Sequence, residues 1–475
     1  MSLLWTSDAL VAAMDGRPLG AMPEGVTGIS IDTRSLQPGE AFFAIKGEAM
    51  DGHDFATAAL KAGAGVLVVA EGKLPALGRL VAPMIVVPDV LEALEKLGRA
   101  ARARSAAKII AVTGSAGKTS TKEAMRCGLA AVGKVHASDK SFNNHWGVPL
   151  TLARLPEDCD YAIFEIGMNH PGEIRPLVKM VRPHIALVTL IAAAHLGFFR
   201  NLDEIATAKA EIFEGLEPDG TALLNADDPR SKLLAKTAKE LGVKNIANFG
   251  EHARATYRLL DCVLEAEHSM LTARIAGKDI VARIGAPGRH MVQNALAVLG
   301  AAHLAGADVT EVALALGSLS AEAGRGQRHI LRHPDGPFTL IDESYNANPA
   351  SMKAALSLLN ATPVSGHGRR IAVLGDMLEL GDHSAKLHAG LAGLIVGSGT
   401  GTVLLGGPEM QALADALPGD IATAYRSGVD ELKPVLLDTI GPGDVVMVKS
   451  SKGIGFSRLV EALLKKFPAQ ADTTA

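Results

Sequence analysis

Apolar runs of strand length alternate with segments of helical periodicity along the whole chain. In the first hundred residues, turns rich in glycine and proline separate the runs AFFAI, GVLVVA and MIVVP. A segment with helical spacing, VLEALEKLGRAARARS, follows these runs. Short strands interspersed with turns and helices in this way predict a mixed α/β domain over residues 1–100.

Residues 101–322 carry longer apolar runs, which are typical of a parallel sheet. The runs are KIIAVTG, YAIFEIG, HIALVTLI and TALLNADD, and helical segments separate them. Strands buried on both faces read as continuous apolar runs, so we predict a central domain with a mostly parallel sheet.

The same alternation returns in residues 323–475, where the apolar runs are FTLIDE, IAVLGD, TVLLGG and DVVMVKS. It predicts a third domain, Rossmann-like, with helices between parallel strands. The predicted fold class is therefore α/β with three domains.

Composition and charge exclude several functions. The 475 residues carry 47 lysines and arginines against 51 acidic residues, and aromatic residues make up only 4%. With no basic run and few aromatics, we expect no nucleic-acid partner. The N-terminus lacks the basic region of a signal peptide, and glycine turns interrupt the uncharged stretch 388–408. We therefore expect a cytoplasmic protein without membrane insertion.

The clearest chemical signal is a phosphate-binding loop. The strand KIIAV runs into TGSAGKTS at residues 113–120, and a helix follows. Val112 stands where the usual P-loop pattern has its first glycine, so the loop is a shortened variant. Lys118 is expected to reach the β- and γ-phosphates of ATP, and Thr119 to ligate Mg²⁺. ATP binding is expected of the whole loop: Gly114, Ser115, Ala116, Gly117, Lys118, Thr119 and Ser120.

Two polar residues follow successive apolar runs of the predicted central sheet. Glu165 ends the run YAIFEIG, and His195 comes after HIALVTLI. Ligands bind at the carboxyl ends of parallel strands, so Glu165 is a candidate ligand for a second Mg²⁺. His195 alone fits a structural role as well as a ligand.

A lysine occupies an unusual place in the predicted helix NLDEIATAKAEIFEGL, residues 201–216. At about 100° per residue, Lys209 falls in the same stripe as Ile205 and Ile212. An unpaired ammonium there costs several kcal/mol, on the order typical of buried ions. Lys209 is therefore paired, deprotonated or modified, unless it reaches solvent.

Further polar residues lie near the second predicted domain boundary. His290 and Asn294 open a helix, where either is a nucleotide contact or only a cap. Arg325 and Arg328, in GRGQR, suit a phosphate clamp or an ordinary linker. The segment 342–349, DESYNANP, suits hydrogen-bonded recognition or an Asn-rich turn.

Taken in order, the motifs resemble those of the Mur ligases, cytoplasmic enzymes that build the peptide stem of peptidoglycan. The likeness covers nearly the whole chain. Besides the P-loop it rests on DTRSLQPGEAFFAIKGEAMDGHDF, SFNNHWGVPLTL, FEIGMNHPGEI, IATAKAEIFEGL, APGRHMVQNALA, GRGQR, IDESYNANPASM and VLGDMLELG. FEIGMNHPGEI, YNANPASM and VLGDMLELG are typical of members that add D-alanyl-D-alanine.

The resemblance implies an activity and its partners. It implies a ligase that joins D-alanyl-D-alanine to UDP-N-acetylmuramoyl-tripeptide through an acyl phosphate, using ATP and Mg²⁺. We expect a monomer. Two alternatives remain open from the residues alone. One is another amide ligase of this fold, such as a folylpolyglutamate-synthase relative. The other is a P-loop protein that binds nucleotide to regulate a partner.

The resemblance also implies roles for single residues. It gives catalytic roles to Lys118, Lys209, His195 and Arg325. The implied metal ligands are Thr119, Glu165, His195 and Lys209, the last as a carbamate. The implied ATP contacts beyond the loop are Asn294, Arg325, Asp342, Tyr345 and Asn346. The implied contacts to the other substrates are Asp32, Thr33, Arg34, Asn143, Asn144, Asn346 and Asn348.

Overall fold

A computed structural model describes residues 2–78, 80–139 and 141–469. The N-terminal domain is mixed α/β, as the short apolar runs predict. Its main sheet has the strand order β2-β7-β6-β5-β4, and β1 pairs with β3 beside it. The strands are β1 (Trp5–Thr6), β2 (Arg17–Leu19), β3 (Gly25–Val26), β4 (Ile29–Ser30), β5 (Ala41–Phe43), β6 (Val66–Ala70) and β7 (Met84–Val87). The helices are α1 (Ser7–Ala13), α2 (Ala56–Lys61), α3 (Leu74–Leu77) and α4 (Val90–Arg104).

The central domain is built on a long sheet with β8 in its middle. The strands are β8 (Lys108–Thr113), β9 (Val135–Ala137), β10 (Tyr161–Glu165), β11 (Ile185–Val188), β12 (Thr221–Asn225), β13 (Asn245–Gly250), β14 (Tyr257–Leu264), β15 (Ser269–Ile275) and β16 (Lys278–Ile284). The helices are α5 (Lys118–Leu129), α6 (Gly147–Ala153), α7 (Ile174–Val181), α8 (Leu202–Ala210), α9 (Ser231–Glu240), α10 (Arg289–Leu304) and α11 (Val309–Ala315).

The strand order of the central sheet fixes where a ligand binds. The order is β16-β15-β14-β13-β12-β11-β8-β10-β9, parallel from β9 to β14 and antiparallel from β14 to β16. β8 lies between β10 and β11, which follow it in sequence on opposite sides. Such a switch point opens a crevice at the carboxyl ends of the strands. The P-loop leaves β8 at this crevice.

The C-terminal domain has a second, mostly parallel sheet, with the order β17-β18-β22-β19-β20-β21. β17 is antiparallel at one edge. The strands are β17 (Gln327–His333), β18 (Gly336–Glu343), β19 (Arg370–Gly375), β20 (Thr402–Gly406), β21 (Ala422–Arg426) and β22 (Val445–Lys449). The helices are α12 (Pro349–Ala361), α13 (Ser384–Ala389), α14 (Ala392–Gly397), α15 (Gln411–Ala416), α16 (Val429–Thr439) and α17 (Ser457–Lys466).

The α/β class with three domains is confirmed, whereas the exact boundaries stay predictions. The boundary predicted after residue 100 falls inside α4, which packs against α6 of the central domain. The two domains are joined closely there: the Trp5 indole donates to the Ala153 carbonyl at 3.0 Å, and the Arg104 guanidinium lies 3.4 Å from the Trp5 ring centroid. No helix within the described ranges is long and apolar enough to cross a membrane.

The helix predicted over residues 201–216 is shorter than expected. Asn201 caps α8 as predicted, accepting from the backbone of Asp203 and Glu204. The α-helix ends at Ala210 and tightens into a 3-10 segment, Glu211–Gly215. Glu211 is buried and accepts from the backbone N–H of Gly172 at 2.7 Å. The tighter turn thus brings a carboxylate to the start of α7, and Lys209 stays within the α-helical part.

Candidate active site

The P-loop is held in a conformation that only glycine adopts easily. Gly114 and Gly117 have φ angles of 153° and 85°, and Gly117 is the N-cap of α5. A Cβ at Gly117 would lie 2.9 Å from the Asn294 side-chain oxygen. Backbone N–H groups at a helix N-terminus attract anions. The sequence-predicted loop therefore has the form of a phosphate site, with Asn294 directly against it.

The Lys118 side chain lies inside this loop. Its ammonium donates to the Gly114 carbonyl at 2.7 Å. Burial lowers the pKa of Lys118, and the nearby charge of Glu165 partly opposes the effect. An incoming phosphate would replace the carbonyl with a charged acceptor, which is a stronger partner for an ammonium.

Thr119, in the first turn of α5, and Glu165, at the end of β10, are in direct contact. The Thr119 hydroxyl donates to the Glu165 carboxylate at 2.8 Å. The other Glu165 oxygen accepts from the Asn143 amide at 2.7 Å, and the Ser141 hydroxyl lies 3.3 Å from that of Thr119. These are oxygen donors of the kind that Mg²⁺ prefers. Metal ligation by Thr119 and Glu165 stays a prediction.

Lys209 is buried, with a side chain that leaves only 1% of its surface exposed. Two other buried lysines provide a comparison: Lys122 pairs with Glu123 at 2.7 Å, and Lys449 with Glu343 at 2.9 Å. Among the residues that the structure describes, no carboxylate lies within 4.0 Å of the Lys209 ammonium. Burial, and then the charge of Lys118, hold the pKa of Lys209 well below its usual range. Burial without a paired carboxylate among the described residues thus sets Lys209 apart from Lys122 and Lys449, and its modification stays a prediction.

The C-terminal domain completes the cleft with the two segments that the sequence singled out. The Arg325 guanidinium lies 4.1 Å from the Tyr345 ring centroid and donates to the Ser141 hydroxyl at 3.4 Å. The Asn348 amide donates to the Ser115 carbonyl of the P-loop at 3.3 Å. Both segments thus contact the central domain at the phosphate site.

Asp342 and its neighbours support this face. The buried Asp342 carboxylate accepts from the backbone of Gly324 at 2.8 Å and from the Ser344 hydroxyl at 2.6 Å. Asn348 also caps α12, in a capping box with Ser351. Asn346 lines the cleft. Arg328 does not line the cleft as Arg325 does, and it donates to the Thr362 hydroxyl at 2.9 Å.

His195 contacts a residue that the sequence analysis did not single out. Its Nδ1 hydrogen-bonds the carboxylate of Glu379, in the VLGDMLELG segment of the C-terminal domain. This bond to His195 lowers the pKa of Glu379. The sequence motifs also did not identify Lys449 as a residue of the cleft, although Lys449 ends the strand DVVMVKS just as Glu165 ends its own strand. It lines the cleft with Glu343 and Lys452.

The cleft between the two domains has a volume of about 640 Å³. Its lining includes the cations Lys118, Arg325, Lys449 and Lys452, together with Asn294, His290 and His195. Burial lowers the pKa of His290. The cleft is large enough for a nucleotide, and its cations suit a polyphosphate. Within the described ranges, no group of three or more His, Cys, Asp or Glu side chains is arranged to hold a metal.

A second cleft, of about 730 Å³, lies between the N-terminal and central domains. Asp32 lines it, and the exposed Arg34 forms a paired contact with the Asp32 carboxylate at 2.6 Å. Thr33 follows Asp32 in the same turn. Phe142 lines this second cleft, whereas Ser141 and Asn143 line the first. Asn144 accepts from the Gly147 backbone at 3.0 Å, at the start of α6. Substrate contacts by these residues stay predictions.

Models of the Mur ligase family match each domain in turn. The match to the Mur ligase family catalytic domain covers residues 25–102, that to the Mur ligase middle domain covers residues 112–302, and that to the Mur ligase glutamate ligase domain covers residues 324–452. The fold and the cleft define a three-domain P-loop enzyme whose nucleotide cleft is closed by its third domain. The chain belongs to the Mur ligase family of ATP-dependent amide ligases, which confirms the resemblance and the predicted enzyme class.

Similar proteins cover almost the entire chain. It is 34% identical to UDP-N-acetylmuramoyl-tripeptide–D-alanyl-D-alanine ligase of Rickettsia prowazekii, over 91% of this chain and 94% of the relative. It is 33% identical to the enzyme of that name from Escherichia coli, over 92% and 93%. The crystal structure of MurF from Acinetobacter baumannii superposes with a TM-score of 0.83 at 29% identity, over 97% of this chain and 99% of that one.

Proposed function

We propose that this protein joins D-alanyl-D-alanine to UDP-N-acetylmuramoyl-tripeptide, with conversion of ATP to ADP and phosphate, in the synthesis of peptidoglycan precursors. The observation that carries the proposal is the contact between Asn348 and the P-loop. The segment YNANPASM, typical of members that add D-alanyl-D-alanine, touches the Ser115 carbonyl. The part of the chain associated with the dipeptide substrate thus lies at the site of phosphoryl transfer.

The reaction has two steps, and the cleft has groups for both. A carboxylate oxygen of the tripeptide attacks the γ-phosphorus, which gives an acyl phosphate and ADP. The dipeptide amine then attacks the acyl carbon, loses a proton, and phosphate leaves. Lys118 and Arg325 reach the phosphate site from opposite domains, so they stabilise the charge that develops on the transferred group.

The oxygen-rich site beside the P-loop fits Mg²⁺. Mg²⁺ keeps several waters and takes only one or two carboxylates plus substrate phosphates. Thr119 and Glu165 provide a hydroxyl and a carboxylate in contact, which matches this small number of protein ligands. When bound with ATP, Mg²⁺ would supply charge neutralisation at the phosphates. His195 is the further ligand that we propose.

Lys209 enters the proposal as a carbamate. A buried amine with a lowered pKa is neutral, and its nitrogen can attack CO₂ and release one proton to solvent, which leaves a carbamate anion. Lys118 raises the energy of an ammonium at this position, and the same charge attracts a carbamate. The proposed role of this anion is to complete the site of Thr119, Glu165 and His195.

The second cleft is the proposed site of the uridine end of the UDP substrate. Its described lining carries Arg154 and five carboxylates, namely Asp32, Glu40, Asp139, Glu157 and Asp158. Carboxylates accept hydrogen bonds from ribose hydroxyls and from the uracil N–H, whereas they repel a diphosphate. The muramoyl peptide would then run past residues 141–143 into the ATP cleft. Thr33, Arg34, Asn143 and Asn144 are proposed to contact it on the way.

One experiment tests the function. Phosphate release is measured with ATP and UDP-N-acetylmuramoyl-tripeptide, with and without D-alanyl-D-alanine, and the product is identified by mass. Release that requires the dipeptide and yields the pentapeptide supports the proposal. L-Alanyl-L-alanine serves as the matched control and should not replace the D,D-dipeptide.

We propose that the enzyme acts as a monomer in the cytoplasm.

The same experiment decides between the alternatives. A folylpolyglutamate-synthase relative would release phosphate with a pteridine substrate and glutamate, and not with the UDP-linked tripeptide. A regulatory nucleotide-binding protein would show no release that depends on an amine. Identity of about a third with two UDP-N-acetylmuramoyl-tripeptide–D-alanyl-D-alanine ligases, over nine-tenths of the chain, favours the first proposal.

A further inference from the structure

Two loops from different domains meet at His195. His195 begins a 3-10 turn, Leu196–Phe198, beyond β11 of the central domain. Glu379 stands in the turn after β19 of the C-terminal domain. The Glu379 carboxylate hydrogen-bonds the His195 ring, and the Glu379 carbonyl accepts from the Gly197 N–H at 2.8 Å. The loops are thus joined by side-chain and backbone contacts at the same point.

The backbone of this contact is held in an unusual conformation. His195 and Glu379 have φ angles of 59° and 64°, in the left-handed region that non-glycine residues rarely adopt. Gly197 and Gly381 face each other so closely that a Cβ at Gly381 would lie 2.8 Å from the Gly197 Cα. Strain of this kind collects at functional sites, where the surrounding structure enforces it.

The contact determines which ring nitrogen of His195 is available. Only Nδ1 with a proton can donate to a carboxylate, and a neutral ring then keeps its lone pair on Nε2. His195 lines the ATP cleft. A carboxylate that orients an imidazole in this way is a frequent partner of metal-binding histidines.

We propose that Glu379 is a positioning residue, which orients His195 toward Mg²⁺ from the C-terminal domain. This inference rests on the proposed function, because it takes His195 as a group of the working site. The consequence is that the metal site is complete only when the C-terminal domain is docked, since the orienting carboxylate arrives with that domain.

The test measures metal binding directly. Mn²⁺ is used as a spectroscopic substitute for Mg²⁺, with a non-hydrolysable ATP analogue, and free Mn²⁺ is followed by electron paramagnetic resonance. Glu379→Ala should weaken Mn²⁺ binding by about 10- to 100-fold, the usual effect of removing a carboxylate behind a metal-binding histidine. Glu379→Gln keeps an acceptor for Nδ1–H and should lose less. Glu461→Ala, at an exposed position on α17, is the matched control and should bind as the wild type.

A double variant separates positioning from simple domain docking. If Glu379 acts through His195, then Glu379→Ala adds no further loss of Mn²⁺ binding to a His195→Ala protein. Additive losses, or wild-type binding by Glu379→Ala, would overturn the inference. Failure of the proposed function would be seen separately, as phosphate release by the wild type that ignores D-alanyl-D-alanine. Thermal unfolding of each variant checks that it is folded.

Discussion

The state of Lys209 is the most informative prediction, because the fold buries this side chain without a counter-ion in its described surroundings. We consider the change Lys209→Met, which keeps the length of the side chain and removes the nitrogen. A buried ion without a partner costs several kcal/mol on the order-of-magnitude scale. Methionine at this position should therefore not lower the free energy of unfolding, and chemical denaturation measures this.

The same substitution should lower the activity, although it should not lower the free energy of unfolding. If Lys209 is a carbamate beside the phosphates, Lys209→Met and Lys209→Ala remove one preorganised charge from the cleft. Removing one such electrostatic group usually lowers kcat by about 100- to 1000-fold. The expected protein is thus as stable as the wild type and nearly inactive, a combination that a lysine with a purely structural role would not give.

Chemical rescue identifies the missing charge. Short carboxylic acids such as acetate should partly restore Lys209→Ala, because they return an anion to the space that the carbamate leaves. The rescue is incomplete, since a free acid must first be localised. Lys449→Ala is the matched comparison: it removes a buried ammonium paired with Glu343, so small amines should restore it instead.

Carbon NMR with isotopically labelled bicarbonate gives independent evidence. A carbamate signal should appear in the wild type and be missing from Lys209→Met. The reasoning would be refuted by a Lys209→Ala enzyme that responds to amines, or by one whose activity never falls.

Two other predictions concern the phosphate site. Lys118→Ala should reduce ligation by about 100- to 1000-fold while thermal unfolding changes little, since the change removes one hydrogen bond of the ammonium, to the Gly114 carbonyl; near wild-type turnover would disprove the P-loop assignment. Saturating ATP analogue and UDP substrate should lower the radius of gyration in small-angle scattering, because Arg325 and Asn348 contact the central domain only in the docked arrangement. Unchanged dimensions would contradict closure.

The sequence predicts the fold well wherever strands are buried on both faces. The run KIIAVTG forms β8, and Glu165 ends the neighbouring strand β10, where its carboxylate accepts from the Thr119 hydroxyl. The strands β14, β15 and β16 were not predicted. They expose many of their side chains, so their sequences lack the continuous apolar runs that mark the parallel strands.

Contacts between domains were harder to predict from sequence. Glu379 lies 184 residues beyond His195, in the motif VLGDMLELG, which carries the family resemblance but does not reveal this contact. Nothing in its neighbours indicates that a histidine of another domain will meet it, because that contact depends on how two separately folded units dock. Lys449, by contrast, could have been found, since a lysine at the end of an apolar strand follows the same rule as Glu165.

The segment 141–143 has a consequence for how the two clefts influence each other. Ser141 and Asn143 face the ATP cleft, and Phe142, between them, faces the cleft of the N-terminal domain. These residues form a tight turn, in which the Asn143 N–H donates to the Ser141 carbonyl at 3.0 Å, so a shift of the turn toward one ligand also moves the side chains that face the other. Occupancy of the two clefts should then be thermodynamically linked, and reciprocity requires that each ligand change the affinity of the other by the same factor.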